Sequence, residues 1–292
     1  DPEDLANEIR RRFGLEDAPV INLNRVAGEF EAEIFEQDLD DCAAMLCRPS
    51  AGEALIAVRE RDALERQAFS LAHEIGHIVC EPETTLGCRF VTEGDRRDAD
   101  LRERRANAFA AALLMPRRLL APFIAGRPLT IETAKLVARR FGVSLTAAAA
   151  RLPSMSARPA TFVRHVAMKP TWVEHSGLPE GVTLRTGVMR DSAAFELFET
   201  KEYTTGPRLL NASVWFDGEG AVDQPIIEDT TYLYGVFLTL IEWTNPYDAW
   251  FASVPAFDPN VTAIHFIQGR QPIRVPRRRG RTPEYQAGSR RG

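Results

Sequence analysis

Hydrophobic positions in the first half of the chain recur at two different periods. Residues 2–13 carry the spacing of an amphipathic helix, whereas EAEIFEQ (31–37), AAMLCR (43–48) and ALIAVRE (54–60) read as short strands. The last strand feeds directly into FSLAHEIGHIVC (69–80), again at helical spacing, with Leu71, Ile75, Ile78 and Val79 on one side. Helical periodicity returns over about 102–115, 117–125, 131–141 and 144–152, and the Pro/Ser-rich PSMSARP (153–159) breaks it. Beyond the break, TFVRHVAM (161–168), GVTLRTG (181–187), LLNASVWF (209–216), TYLYGVFLTLIEW (231–243) and VTAIHFIQ (261–268) are rich in β-branched and aromatic residues and punctuated by Gly, Pro and Asn. The pattern predicts an α+β protein: a small sheet with helices, then a β-rich or α+β C-terminal domain over 160–274.

The run AKLVARRFGVSLTAAAARL (134–152) has the form of a helix-turn-helix, with Gly142 at the turn. Its second helix is mostly alanine. Beyond Ser144, Thr146 and Arg151 that helix offers almost nothing to read a base edge or grip a phosphate, so a structural role is expected rather than direct DNA binding.

Chemistry enters at HEIGH. At ~100° per residue, His77 lies about 40° round the helix from His73 and Glu74 about 100°, so all three share the side opposite the apolar stripe. Two imidazoles one turn apart can hold a single zinc ion, a third protein ligand completes the set, and a water in the open position becomes the nucleophile. Glu74 is too close in sequence to both histidines to join the same coordination comfortably, and is suited to carry the water's proton to the leaving amine. A core helix can carry such a run by chance, but only five histidines occur in 292 residues and the amphipathic register argues against accident.

The third ligand has several candidates. Glu81, Glu83, Glu93, Asp95, Asp98 and Asp100 mostly sit in a polar, arginine-interleaved stretch that reads as a solvated connection. Glu103 differs, because LRERRANAFAAALLMP (101–116) is helical in period and places Glu103, Asn107, Ala110 and Leu114 in one column on its buried side. A carboxylate facing inward requires a partner, either a metal or a neighbouring arginine. Asn107, one turn on, is placed to hydrogen-bond a ligand's second ring nitrogen.

The paired runs FSLAHEIGHIVC and ERRANAFAAALLMP resemble the ImmA/IrrE family of metallo-endopeptidases over roughly residues 1–152. The resemblance implies a zincin-like metallopeptidase domain (1–116) followed by the helix-turn-helix-like segment (117–152). It implies His73, His77 and Glu103 as ligands to Zn²⁺, with Mn²⁺ as a substitute, and Glu74 as general base. It further implies a regulatory protease whose protein substrate is a small helix-turn-helix repressor or antitoxin, cut to derepress stress-response or mobile-element genes. A metal-containing sensor or transcription regulator that acts by binding alone is the alternative.

Composition supports about two domains with a sizeable core. No run approaches ~18 apolar residues and no signal peptide is visible, so a cytoplasmic protein without membrane attachment is expected. Residue 1 is Asp rather than Met, and a preceding segment is expected. Four cysteines, Cys42, Cys47, Cys80 and Cys88, lie in the first third without CxxC spacing and read as free thiols, with Cys80 or Cys88 close enough in sequence to gate a metal. The net charge of −5 is uneven, because residues 275–292 hold six arginines against one glutamate and read as a disordered basic tail. His165, His175 and His265 show no ligand spacing, and Trp172, Trp215, Trp243 and Trp250 read as core or partner surface.

Overall fold

Local capping starts the chain. Asp1 accepts from the backbone N–H of Glu3 and Asp4 and opens α1 (Pro2–Arg12), and Asn22 caps α2 (Leu23–Gly28) in the same way. A computed structural model describes residues 1–40, 42–48, 53–82, 96–200 and 202–244, with 96–99 as backbone only. Strands β1 (Ala32–Gln37), β2 (Ala44–Cys47) and β3 (Ala54–Arg59) form a sheet in the order β1-β3-β2. The central β3 runs parallel to β1 and antiparallel to β2, pairing Ile34 with Ile56 and Leu46 with Ile56. Its Ile56, Ala57 and Val58 are buried on both faces.

The chain turns from β3 into α3 (Leu64–Cys80) because the buried Gln67 amide donates back to the carbonyls of Arg59 and Glu60, at 2.9 and 3.3 Å. Helix α4 (Arg96–Leu114) packs along α3, and α1 packs on α4. Then come α5 (Arg117–Ile124), α6 (Ile131–Phe141) and α7 (Leu145–Arg151). Gly142 closes α6 in the left-handed region at φ 61° and Ser144 caps α7. The alanines of α7, Ala147 to Ala150, are buried, so this helix packs against its neighbours rather than presenting a reading surface.

After a 3-10 turn at Leu152–Met155 the chain enters the second sheet. Its elements are β4 (Ala160–Val166), β5 (Lys169–Ser176), β6 (Thr183–Leu184), α8 (Ala193–Thr200), β7 (Arg208–Asn211), β8 (Phe216–Asp217), β9 (Pro225–Leu233) and β10 (Val236–Trp243). Five strands pair in the order β5-β4-β10-β9-β7, all antiparallel, and β6 pairs with β8. Phe162, Leu238 and Leu240 on one face join the core built by α1, α3, α4, α6 and α7. Val163, Ile226, Ile241 and Trp243 face Trp215 and Phe216 on the other. The hydrophobic core is therefore continuous across residues 153–159.

Several expected strands take a different form. LLNASVWF is split because the Asn211 side chain accepts from the backbone N–H and hydroxyl of Ser213, turning the chain through a 3-10 turn between β7 and β8. TYLYGVFLTLIEW is most of a hairpin, with Tyr234 and Gly235 at φ 47° and 86° in its tight turn. GVTLRTG keeps only the two residues of β6. Helices α2 and α8 and the edge strand β5, with its Pro170, were not anticipated from periodicity. VTAIHFIQ and the basic tail 275–292 lie outside the described residues.

Candidate metal centre

Helices α3 and α4 cross with Gly76 against Ala106, and this contact sets how near their side chains come. From α3, His73 and His77 aim their Nε2 atoms at one point, 3.1 Å apart. From α4, Glu103 Oε2 lies 3.1 Å from His73 Nε2 and Oε1 lies 3.4 Å from His77 Nε2. The three donors fall within 4.8 Å of one another. Asn107 Oδ1 stands 2.9 Å from His73 Nδ1, an arrangement in which Nδ1 carries the proton and the Nε2 lone pair faces the cluster.

The donor set fits a zinc ion. Two nitrogens at zinc–nitrogen distances in a tetrahedral site lie about 3.3 Å apart, close to the observed pair spacing. The electrostatics agree. Hydrogen bonds from His73 and His77, outweighing the opposing effect of burial, hold the Glu103 carboxyl well below the usual carboxylate range. Burial disfavours a charged His73, yet the Glu103 hydrogen bond and the charges of Glu74 and Glu103 outweigh it and push that imidazole up. The cluster favours positive charge, and a divalent cation satisfies the same field. Glu74, adjacent on α3, is buried, and this burial pushes its carboxyl up against the opposing pull of His73 and His77.

His73, His77, Glu103 and Asn107 come together here with Glu74 beside them on α3, with one difference from expectation. Glu103 lies in the expected column with its carboxylate on both histidines, but its side chain is 58% exposed rather than buried. Gly76 was missed, although its place inside HEIGH is the signal that could have found it. Cys80 is buried, its thiol pushed up chiefly by desolvation, and it is not part of the donor cluster. His165 is buried in the second sheet between Trp215 and Phe237, and His175 lies on β5, both apart from the donor cluster. Glu83, Cys88, Glu93, Asp95 and His265 lie outside the described residues, as does the side chain of Asp98.

Residues 27–153 match the family model described as the IrrE N-terminal-like domain, a peptidase family. The chain carries a domain of this family. The match runs from the end of α2 to the turn after α7 and so takes in the first sheet and both helices of the donor cluster. The IrrE N-terminal-like domain is of metallopeptidase type with a zincin-like fold, and the chain as a whole is α+β with a β-rich C-terminal region. Among solved structures, the fold is similar to a Mycobacterium tuberculosis transcriptional regulator, with 15% identity, 83% of this chain and 76% of that chain covered, and a TM-score of 0.57. No curated protein matches by sequence. Among the described residues, no helix is long and apolar enough to cross a membrane.

Proposed function

We propose that this protein is a zinc-dependent endopeptidase acting in the cytoplasm on a regulatory protein, a helix-turn-helix repressor or antitoxin, whose cleavage derepresses genes of a stress response or a mobile element. The observation that carries this reading is the convergence of His73, His77 and Glu103 with Glu74 buried beside them. Zinc held by the first three, or Mn²⁺ as a substitute, would polarise the scissile carbonyl and lower the pKa of an attacking water to about 7. Glu74 would take that water's proton on its carboxylate and return it to the leaving amine, a transfer that the neutral amide of a glutamine cannot perform. Asn107 holds the His73 ring so that Nε2 faces the cluster. Among the described residues strand β2 is a sheet edge packed beside α3, and such an edge can take up an extended peptide as an added strand.

Incubated with a cognate helix-turn-helix repressor and Zn²⁺ or Mn²⁺, the protein should cut it at one or a few bonds and leave unfolded casein largely intact, since remote substrate surface supplies the docking energy. Glu74→Gln should keep docking and lose cleavage. The second reading, a metal-containing regulator that works by binding, has its support in the name of the structural neighbour, a likeness of fold alone. If Glu74→Gln relieves repression in cells as well as the parent does, that second reading replaces the first.

A further inference from the structure

The last turn of a helix leaves carbonyl oxygens without intrahelical partners, and at the end of α3 this turn directly follows His77. Two arginines donate to carbonyls in this last turn and the two residues that follow it. Arg48, one residue beyond β2 and buried, donates Nη1 to the carbonyls of Glu81 and Pro82, at 3.3 and 3.0 Å, and Nη2 to that of Ile78 at 3.4 Å. Arg105 on α4 donates Nη2 to the Cys80 carbonyl at 3.3 Å. Both cations lie at the negative end of the helix macrodipole, where they are favoured. The two elements flanking α3 therefore each send a guanidinium to the same helix end. Arg105 is two residues from Glu103, so α4 is keyed to α3 at Glu103, Arg105, Ala106 and Asn107 over little more than one turn.

We propose that Arg48 and Arg105 are positioning residues that clamp the C-terminus of α3 and hold His73 and His77 in register with Glu103. This rests on the reading of those three side chains as the metal site. Arg105 acts on the spacing between the histidines and the carboxylate. Arg48 fixes the helix end against β2, and its fork spans three carbonyls that a lysine's single ammonium cannot reach together.

The test uses the full chain, stripped of metal and titrated with Zn²⁺ against a competing chelator. Arg105→Met and Arg48→Met should each weaken zinc about tenfold, the lower end for residues that orient metal ligands. A role in stability alone would weaken zinc equally in every background, whereas positioning acts through the carboxylate. Arg105→Met should therefore add little to Glu103→Ala, and an equal loss in both backgrounds overturns the proposal. Should Arg48→Met fail to fold, R48K carries that arm: it should remain several-fold weaker than the parent, and full affinity in R48K overturns the clamp at Arg48. Unchanged zinc affinity in His77→Ala removes the site and the clamp with it, while unchanged affinity only in the two arginine variants removes the clamp alone.

Discussion

Gly76 on α3 lies so close to Ala106 on α4 that a Cβ added to the glycine would sit 3.0 Å from the Ala106 Cα and carbonyl oxygen, and 3.1 Å from Cδ1 of the fully buried Phe109. Two of these three neighbours are backbone and cannot rotate away. The contact lies within one turn of His73 and His77 on one helix and of Glu103 and Asn107 on the other, so the distance between imidazoles and carboxylate is set by a missing methyl group.

Gly76→Ala is accordingly expected to push the helices apart. Overpacking costs ~1–3 kcal/mol, against which alanine's better helix propensity returns up to about 1 kcal/mol. The net result should be a lower melting temperature together with zinc affinity reduced about tenfold or more. Zinc titration and thermal melts of this variant check it. An alanine variant that binds zinc as tightly as the parent would show that the crossing does not set the donor spacing.

The carboxylate and its neighbour should rank differently. Glu103→Ala is expected to weaken zinc retention by at least about tenfold, since two histidines alone lack the third anchor of a catalytic site. Asn107→Ala should do less, because it frees the His73 ring without removing a donor. Metal analysis after dialysis decides the order, and loss of metal in Asp98→Ala with retention in Glu103→Ala would sink the assignment.

What could be seen in the sequence was what helical geometry alone determines. The angle between His73 and His77, and the column joining Glu103 to Asn107, follow from residue spacing, so both halves of the side-chain cluster were legible before any fold was known. The depth at which the helices meet was not, because it depends on Gly76 finding Ala106 across the crossing. For the same reason the exposure of Glu103 was misjudged: a helix column can be read from spacing, but which end of it reaches solvent is a property of the neighbour. Arg48 reaches the end of α3 from just past β2, about thirty residues earlier, with no local trace. The division at 153–159 was visible as composition, yet Phe162, Leu238 and Leu240 pack into the helical core and Asp229 caps α6 across it. Such pairings are decided by tertiary burial, which periodicity does not encode.

Asp229 on β9 accepts from the backbone N–H of Ile131, the first residue of α6, at 2.8 Å. Burial pushes its carboxyl up to about 6, with Glu228 and Glu132 adding to the rise and the Ile131 N–H and Lys135 opposing it. The folded state thus holds this proton more tightly than the unfolded chain, whose carboxyl titrates near 4. The resulting stability is fully present below about pH 4 and is lost as pH rises through about 6, an amount on the order of 3 kcal/mol. Asp229→Asn removes this titration. Measured by denaturant unfolding, the parent should lose stability relative to the variant between pH 4 and 7, whereas a constant difference would mean that Asp229 is not perturbed.

Glu228, beside it on β9, is completely buried and accepts four hydrogen bonds: from the backbone N–H of Ala193 (3.1 Å) and Ala194 (2.7 Å), from Trp215 Nε1 (2.7 Å) and from the Thr230 hydroxyl (3.1 Å). One carboxylate thus ties the start of α8 and the buried Trp215 to the second sheet, even as burial raises its pKa. Glu228→Ala leaves three buried N–H donors without an acceptor, at about 1–3 kcal/mol for each that water cannot reach, while the Thr230 hydroxyl can still donate to Thr239 Oγ1 at 2.9 Å. The expected outcome is a loss of several kcal/mol with a red-shifted Trp215 emission, isolated by comparison with Trp215→Phe. Glu228→Gln should fall between, since it keeps one acceptor oxygen but turns an amide toward donors. If the alanine variant keeps parental stability and emission, α8 and Trp215 are held by apolar packing, and the carboxylate is incidental to the fold.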